Sequence, residues 1–111
     1  MNELSIKAFD FGIRIIELAK YLDEEKKPFP LTVRLLECGT GIGVHLRILN
    51  NFSKSLKENC MQAYKLALET EYLLELMVKT GFINETQSKP ILTDCRLIKD
   101  ETGKQLIQFF S

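Results

Sequence analysis

Apolar residues recur with the period of an α-helix and divide the chain into four helical segments. In the first segment, about residues 5–26, one apolar stripe contains Ile6, Phe9, Ile13 and Ile16. A second stripe on this segment contains Phe11, Ile15, Leu18 and Leu22. Charged residues occupy the remaining side, and Pro28 and Pro30 end the helical pattern.

The second segment, about residues 30–50, has an apolar seam with alternating spacings of four and three, as in a helix bundle. The seam contains Leu31, Leu35, Cys38, Ile42, His45 and Leu49. Gly39, Gly41 and Gly43 interrupt it, although each glycine costs about 1 kcal/mol relative to alanine within a helix. Because Gly39 and Gly43 are four residues apart, we expect them to share a face and to admit a close-packed helix.

The third segment, about residues 56–80, begins at a capping box formed by Ser55 and Glu58 and ends at Gly81. Its later part, residues 72–78, is apolar on nearly every side, so it must be covered on more than one side. A small bundle covers one side of each helix, which indicates a second molecule. The predicted interface residues are Tyr72, Leu73, Leu76 and Met77.

The fourth segment, about residues 88–110, is predicted to begin after Ser88, with Pro90 in its first turn. Its seam contains Ile91, Cys95, Ile98, Thr102, Gln105 or Leu106, and Phe109. Short connections favour antiparallel neighbours. The pattern therefore predicts one all-α domain over residues 1–111, an up-down antiparallel four-helix bundle.

Charge and hydropathy narrow the functions that such a bundle can have. Fifteen Lys and Arg balance fifteen Asp and Glu, so the basic surface typical of nucleic-acid binding is missing overall. A net charge of zero also favours self-association. The chain has no apolar run near the ~20 residues that span a bilayer and no signal-peptide pattern. We therefore expect a cytoplasmic protein without a membrane partner.

Reactive residues are few and widely spaced. Cys38, Cys60 and Cys95 form no metal-binding spacing and are interpreted as reduced core thiols. The glycines of residues 39–43 follow no strand, which argues against a phosphate-binding loop. A di-metal bundle site needs histidines on two helices, and His45 is the single histidine. We expect no catalytic residue, no metal site and no cofactor.

His45 occupies a seam position and has two interpretations. It is either a core histidine hydrogen-bonded to a neighbouring helix or a pH-sensitive contact, because histidine changes charge near neutrality. A metal site assembled between subunits, or an enzyme site formed in the same way, stays as a third and weaker alternative.

Two blocks of sequence resemble a known family. Residues 35–43, LLECGTGIG, resemble a family pattern of two leucines, two variable residues and glycine-threonine-serine-isoleucine-glycine. Residues 69–76, ETEYLLEL, resemble its glutamate-threonine-glutamate-tyrosine-tryptophan-leucine-glutamate-leucine block, and residues 80–83 also agree. This is the four helix bundle protein family, first met in intervening sequences of bacterial large-subunit ribosomal RNA genes. It is distantly similar to the accessory variability proteins of diversity-generating retroelements.

The resemblance implies an up-down bundle that assembles into a ring, typically a homopentamer, without established enzymatic activity. The retroelement relatives act as adapters for a reverse transcriptase, and family members have been suspected of nucleic-acid association. The chain departs from the pattern at Gly41, His45, Ile48 and Leu73, where the family has serine, asparagine, glutamate and tryptophan. The changes at Gly41 and Ile48 remove polar groups from the middle of the second helix.

We therefore expect a non-enzymatic, homo-oligomeric scaffold or adapter that binds a protein partner, such as a reverse transcriptase. The alternative is a nucleic-acid-binding protein associated with ribosomal RNA. That alternative would use the basic residues Arg47, Lys54, Lys57 and Lys65.

Overall fold

Four α-helices make up the structure, with no strand in the ranges it covers. The computed structural model describes residues 3–26, 29–51 and 56–110, with the side chains of Lys26, Asn50 and Asn51 left aside. The helices are α1 (Glu3–Lys26), α2 (Pro30–Asn51), α3 (Leu56–Lys79) and α4 (Glu85–Gln108). They pack into one compact body of 44 × 22 × 22 Å. The predicted all-α fold with four helices is confirmed.

Each helix packs against its two neighbours in the chain's cyclic order. Within the described ranges α1 contacts α2 and α4, α3 contacts α2 and α4, and no Cα atoms of the diagonal pairs lie within 8 Å of each other. The core lies between the four helices. Its largest fully buried apolar side chains are Phe11, Ile15, Leu22, Leu35, Ile42, Leu46, Leu74, Met77, Ile83 and Ile98.

The contact between α1 and α2 depends on two glycines of α2. A Cβ atom added to Gly39 would lie 3.0 Å from two carbons of the Ile15 side chain. A Cβ atom added to Gly43 would lie 3.6 Å from the backbone oxygen of Ala8. Both predicted close-packing glycines therefore face α1. Gly43 lies near a backbone as expected, whereas Gly39 makes room for a branched side chain.

Small residues line the contact between α3 and α4. Cys60, Ala63 and Ala67 of α3 are fully buried there. The Cys60 thiol donates to the backbone oxygen of Thr102 at 3.5 Å, and the Cys95 thiol donates to that of Ala67 at 3.5 Å. These reciprocal bonds hold the thiols inside the body of the protein, where small side chains let the two helices approach closely.

A Schellman motif ends α3, as the sequence predicts for Gly81. Gly81 has a φ of 75°, which is the left-handed region that glycine adopts without steric cost. The amide of Phe82 donates to the oxygen of Met77 at 2.8 Å, and that of Gly81 donates to the oxygen of Val78 at 3.0 Å. The predicted capping box at the start of α3 involves Ser55, which lies outside the described residues.

The predicted start of α4 at residue 88 is wrong, because the helix begins three residues earlier. Asn84 accepts a hydrogen bond from the Gln87 amide at 2.7 Å, and the Gln87 side chain accepts one from the Asn84 amide at 3.2 Å. This capping box satisfies free amides of the first turn. Pro90 consequently lies in the second turn of α4, inside the helix.

Candidate functional site

An apolar groove of about 410 Å³ opens to the surface between α1 and α2. Helix α1 contributes Ser5, Ala8, Phe9, Gly12, Ile13 and Ile16, and helix α2 contributes Thr40, Gly43, Val44, Arg47 and Ile48. Apart from Ser5, Thr40 and Arg47, its lining consists of apolar residues and glycine.

Large exposed side chains form the walls of the groove. Phe9 is 53% exposed and Val44 is 57% exposed, and Ile13 and Ile16 are also exposed. Ile6, which is likewise exposed, extends the α1 wall by one turn. Apolar side chains on one continuous surface are typical of a site that contacts another protein.

The two apolar stripes of α1 therefore have different roles. The stripe of Phe11, Ile15, Leu18 and Leu22 is buried in the core, whereas the stripe of Ile6, Phe9, Ile13 and Ile16 faces outward. Because a helix in a small bundle buries only one side, the two stripes in the sequence signal that one of them stays uncovered, but not which one. We predicted an uncovered apolar surface by that argument for residues 72–78 but not for α1.

Small residues form the floor of the groove. Ala8, Gly12 and Gly43 carry little or no side chain there, and nothing lies within 4 Å of a Cβ atom added to Gly12. Thr40 donates its hydroxyl to the backbone oxygen of Leu36 at 2.7 Å, so its polarity is satisfied inside its own helix. The floor thus offers apolar surface close to two helix backbones.

Arg47 is the charged residue of the groove lining. Its guanidinium lies 5.6 Å from the centre of the Phe9 ring, a cation–π contact that bridges α2 and α1. The stem of an arginine can cover apolar surface while its charged end stays in water. Arg47 therefore closes one end of the groove without making its walls polar.

A second exposed apolar surface lies on the outer side of α3. Tyr72 is 61% exposed, and Leu68 and Leu76 on the same face are exposed as well. We call Leu68, Tyr72 and Leu76 the α3 ridge. The spacing of four residues aligns the three side chains along the helix.

Two of the four predicted interface residues do not lie on this surface. Leu73 is 4% exposed and Met77 is 1% exposed, because both point into the core of the single chain. The prediction that Leu73 and Met77 lie at a subunit interface is therefore wrong, and both are core residues. Tyr72 and Leu76 are at the surface, and the prediction of a subunit contact now depends on them.

The three thiols lie in the interior and are not poised for chemistry. Burial raises the pKa of Cys95 to about 12, and burial also raises the pKa values of Cys38 and Cys60 above the ordinary range. Because the thiolate is the nucleophile and the metal ligand, these cysteines are suited to packing. Thr70 donates its hydroxyl to the sulfur of Cys38 at 3.3 Å, which joins α3 to α2.

His45 joins α2 to α3 as the first of its two interpretations predicts. Its Nδ1 atom lies 2.8 Å from Oδ1 of the buried Asn59. Because an amide oxygen accepts, Nδ1 is the donor in this pair. Within the ranges that the structure covers, no three His, Cys, Asp or Glu side chains are grouped as a metal site would need.

The glutamates of α3 form ion pairs with neighbouring helices. Glu71 accepts from Lys99 at 3.1 Å and from Arg96 at 2.9 Å, and Arg96 also donates to Glu75 at 3.0 Å. Burial alone would raise the pKa of Glu71, but the hydrogen bonds from Lys99 and Arg96 outweigh it and lower this pKa. Glu69 pairs with Arg34 of α2 at 2.8 Å.

The basic residues of the nucleic-acid alternative lie in different contacts. Arg47 packs on Phe9, whereas Lys57 lies 4.3 Å from the centre of the Phe110 ring near the end of α4. Lys65 is exposed on α3, and Lys54 lies outside the described residues. The described contacts thus place Arg47 with α1 and Lys57 with α4.

Comparison with known structures identifies a relative that matches over nearly the whole chain. It is a crystal structure of a protein of unknown function from the S23 ribosomal protein family of Bacteroides thetaiotaomicron. The two share 30% sequence identity and a TM-score of 0.88, covering 93% of this chain and 97% of that chain. The chain belongs to the S23 ribosomal protein family. No protein-family model and no curated protein matches it.

Membership in the S23 ribosomal protein family agrees with the all-helical fold described above. Within the described segments, no helix of this family member combines the length and apolar character needed to cross a bilayer. The groove between α1 and α2 and the α3 ridge are two of the surfaces on which the chain exposes large apolar side chains.

Proposed function

We propose that this protein is a non-enzymatic, homo-oligomeric helical scaffold or adapter that binds a protein partner. The observation that carries the proposal is the apolar groove between α1 and α2, with Phe9, Ile13, Ile16 and Val44 exposed on its walls. Its lining is almost entirely apolar, which suits contact with another protein surface. Formal charge balance, with fifteen basic and fifteen acidic residues, is compatible with self-association.

We further propose an up-down antiparallel bundle that assembles into a ring-like homo-oligomer, most simply a homopentamer as in the resembling family. The order of contacts between helices supports the bundle topology. Ile15 and Ala8 of α1 meet Gly39 and Gly43 of α2, so the two helices run in opposite directions. Cys60 and Ala67 of α3 likewise meet Thr102 and Cys95 of α4 in reverse order.

The state of the reactive side chains supports the non-enzymatic part of the proposal. The thiols are buried and their pKa values are raised, which opposes nucleophilic chemistry. Glu71 is held ionised by Lys99 and Arg96, so it lacks the raised pKa that a general acid needs. A cytoplasmic location, expected from the sequence, belongs to the same proposal.

The adapter role is supported by the sequence blocks of residues 35–43 and 69–76. They resemble the intervening-sequence proteins and, more distantly, the accessory proteins of retroelements that bridge to a reverse transcriptase. A protein of that class is the partner we propose. It would bind on surfaces that the oligomer leaves free.

Nucleic-acid binding is the second candidate, because the solved relative carries the name of a ribosomal protein family. Binding to RNA would require Arg47, Lys57 and Lys65, together with Lys54, to contact phosphates. Each phosphate contact releases counterions, so affinity would fall steeply with added salt. Protein–protein contact through the apolar groove would depend little on salt.

The test is native mass spectrometry of the protein purified without nuclease. We expect a single multiple of the 12.8 kDa chain that carries no additional mass. Additional heterogeneous mass that nuclease removes would favour the nucleic-acid candidate. A mass of one chain at every concentration would contradict the homo-oligomer.

The adapter role needs its own measurement with purified components. A reverse transcriptase encoded beside the gene, or another neighbouring protein, would be mixed with the purified oligomer and followed by sizing with light scattering. We expect a complex of fixed stoichiometry that persists in high salt. Two outcomes together would favour the nucleic-acid candidate over the adapter role. The neighbouring proteins would elute separately from the oligomer, and the oligomer would carry bound material that nuclease removes.

A further inference from the structure

The outward stripe of α1 and the outer side of α3 lie on two helices that are diagonal to each other in the bundle. One surface is a groove with a floor of small residues, and the other is the α3 ridge of Leu68, Tyr72 and Leu76. Because the two surfaces differ in shape and position, one copy can present its ridge while another presents its groove. Such a contact is heterologous and can be repeated around a ring.

We propose that the α3 ridge of one copy occupies the α1/α2 groove of the next copy. This inference rests on the homo-oligomer proposed above and assigns its interface to named surfaces. The ridge follows the pattern of apolar anchors every fourth residue by which a helix binds in a groove. The groove admits a helix because Gly12, Gly43 and Ala8 line its floor.

The dimensions of the two surfaces agree. Leu68 and Leu76 are eight residues apart, which is about 12 Å along a helix. Phe9 and Ile16 on the groove wall are seven residues apart, which is about 10 Å along α1. Three anchors of the ridge therefore find apolar surface along the full length of the wall.

Charges of both signs lie around the groove. Exposed carboxylates of Asp10 and Glu17 lie beside the outward stripe of α1, whereas Arg47 lies at one end of the groove and Lys20 at the other. The exposed lysines Lys65 and Lys79 lie before and after the α3 ridge. Opposite charges at an interface edge help to set the register of the two helices.

The glutamates of α3 do not cancel this pattern. Glu69 is paired with Arg34, and Glu75 is paired with Arg96, so both are neutralised within their own chain. Lys65 and Lys79 thus contribute positive charge at the two ends of the ridge. Asp10 and Glu17 attract these lysines, whereas Arg47 and Lys20 repel them, so charge favours a register that brings the lysines to the carboxylates.

The experiment uses one variant for each surface. Val44→Asp places a carboxylate in the groove wall, and Tyr72→Asp places one on the ridge; both positions are more than half exposed, so the fold should persist. Ile13→Asp and Leu68→Asp serve as second variants of the two surfaces. Leu97→Asp is the matched control, because Leu97 is an exposed leucine of α4 outside both surfaces. Circular dichroism would verify the helix content of every variant.

We expect each of the groove and ridge variants to elute as a single chain and Leu97→Asp to keep the wild-type mass. Mixing a groove variant with an isotope-labelled ridge variant should restore one contact, because one partner keeps an intact ridge and the other an intact groove. Native mass spectrometry should then detect a heterodimer with one chain of each kind and no larger species.

The outcomes separate this inference from the proposed function. A wild-type protein that is a single chain at every concentration would overturn the homo-oligomer and the inference together. A wild-type oligomer whose mass survives in both variants would overturn the inference alone. Variants that become single chains but do not associate on mixing would show that the groove and the ridge are not partners.

Discussion

The Gly39 backbone lies so close to Ile15 that a Cβ atom on the glycine would stand 3.0 Å from both γ-carbons of the isoleucine. Ile15 is fully buried, and its β-branched side chain has little rotamer freedom in a helix. The neighbouring Gly43 differs, because its added Cβ atom would make ordinary contact with Ala8 at 3.6 Å. Within the single chain, Gly39 therefore has no room for a methyl group without a shift of Ile15, whereas Gly43 does have room.

Gly39→Ala should lower the free energy of unfolding and Gly43→Ala should raise it. Overpacking costs about 1–3 kcal/mol, which exceeds the gain of about 1 kcal/mol from replacing a helical glycine by alanine. In Gly43→Ala the gain stands alone. Urea denaturation of both variants beside the wild type measures the difference, and equal shifts in the two variants would contradict it.

Glu71 should make stability depend on pH at the acid end. Burial opposes its charge, but the bonds from Lys99 and Arg96 lower its pKa below the ordinary value of 4.5. The unfolded chain therefore binds more protons in acid. The contribution of Glu71 is fully present above pH 4.5 and is lost as the pH falls through the lower folded-state pKa.

Glu71→Gln should remove this acid dependence and cost about 1–3 kcal/mol near neutral pH, because charged hydrogen bonds are lost. Lys99 acts at the alkaline end of the pH range. The hydrogen bond with Glu71 raises the pKa of Lys99 above 10.5, so the stability that Lys99 contributes is present below pH 10.5 and is lost as the pH rises further. Glu75→Gln is the control, since Glu75 is half exposed. Thermal melts across the pH range test this, and parallel profiles of wild type and Glu71→Gln would contradict it.

The thiols should be inert in the folded protein. With a pKa of about 12, Cys95 is ionised in only about one molecule in ten thousand near pH 8. Burial further excludes the reagent from Cys38, Cys60 and Cys95. We expect an aromatic disulfide reagent to modify all three only after guanidinium unfolds the chain. Fast modification of the native protein, followed by absorbance, would show that a thiol is accessible.

Asn84 should contribute about 1 kcal/mol to stability through the capping box of α4. Asn84→Ala removes the acceptor for the Gln87 amide, whereas Asn84→Asp keeps it. Thr86→Ala, an exposed change in the same turn, controls for helix propensity. In chemical denaturation, Asn84→Ala should have a lower free energy of unfolding than Asn84→Asp and Thr86→Ala. If Asn84→Ala and Asn84→Asp unfold at the same denaturant concentration, the cap is not a source of stability.

Periodicity was sufficient to predict the helices, because each contains a stripe that recurs with the helical period. It did not indicate which of the two stripes on α1 faces inward, since Ile13 and Ile15 fit that period equally well. The choice depends on α2 and α4 packing against Phe11 and Ile15. A single sequence pattern does not contain this three-dimensional information.

Local chemistry explains two further differences. Asn84 and Gln87 have the spacing of a capping box and so signal the start of α4. The preference of proline for the first turn of a helix instead led to the prediction of a later start, near Pro90. On α3, Leu73 and Met77 belong to an apolar run whose inner and outer members look alike in sequence. Their separation from Tyr72 follows from packing against the neighbouring helices.

The division of α1 into an inner and an outer stripe also uncouples two kinds of evolutionary change. Substitution at Ile15 changes a fully buried side chain and lowers the stability of the whole fold. Substitution at Ile13, which is exposed, changes what the surface can bind, while the protomer still folds. The outer stripe is therefore free to diverge in sequence under constraints different from those that hold the inner stripe.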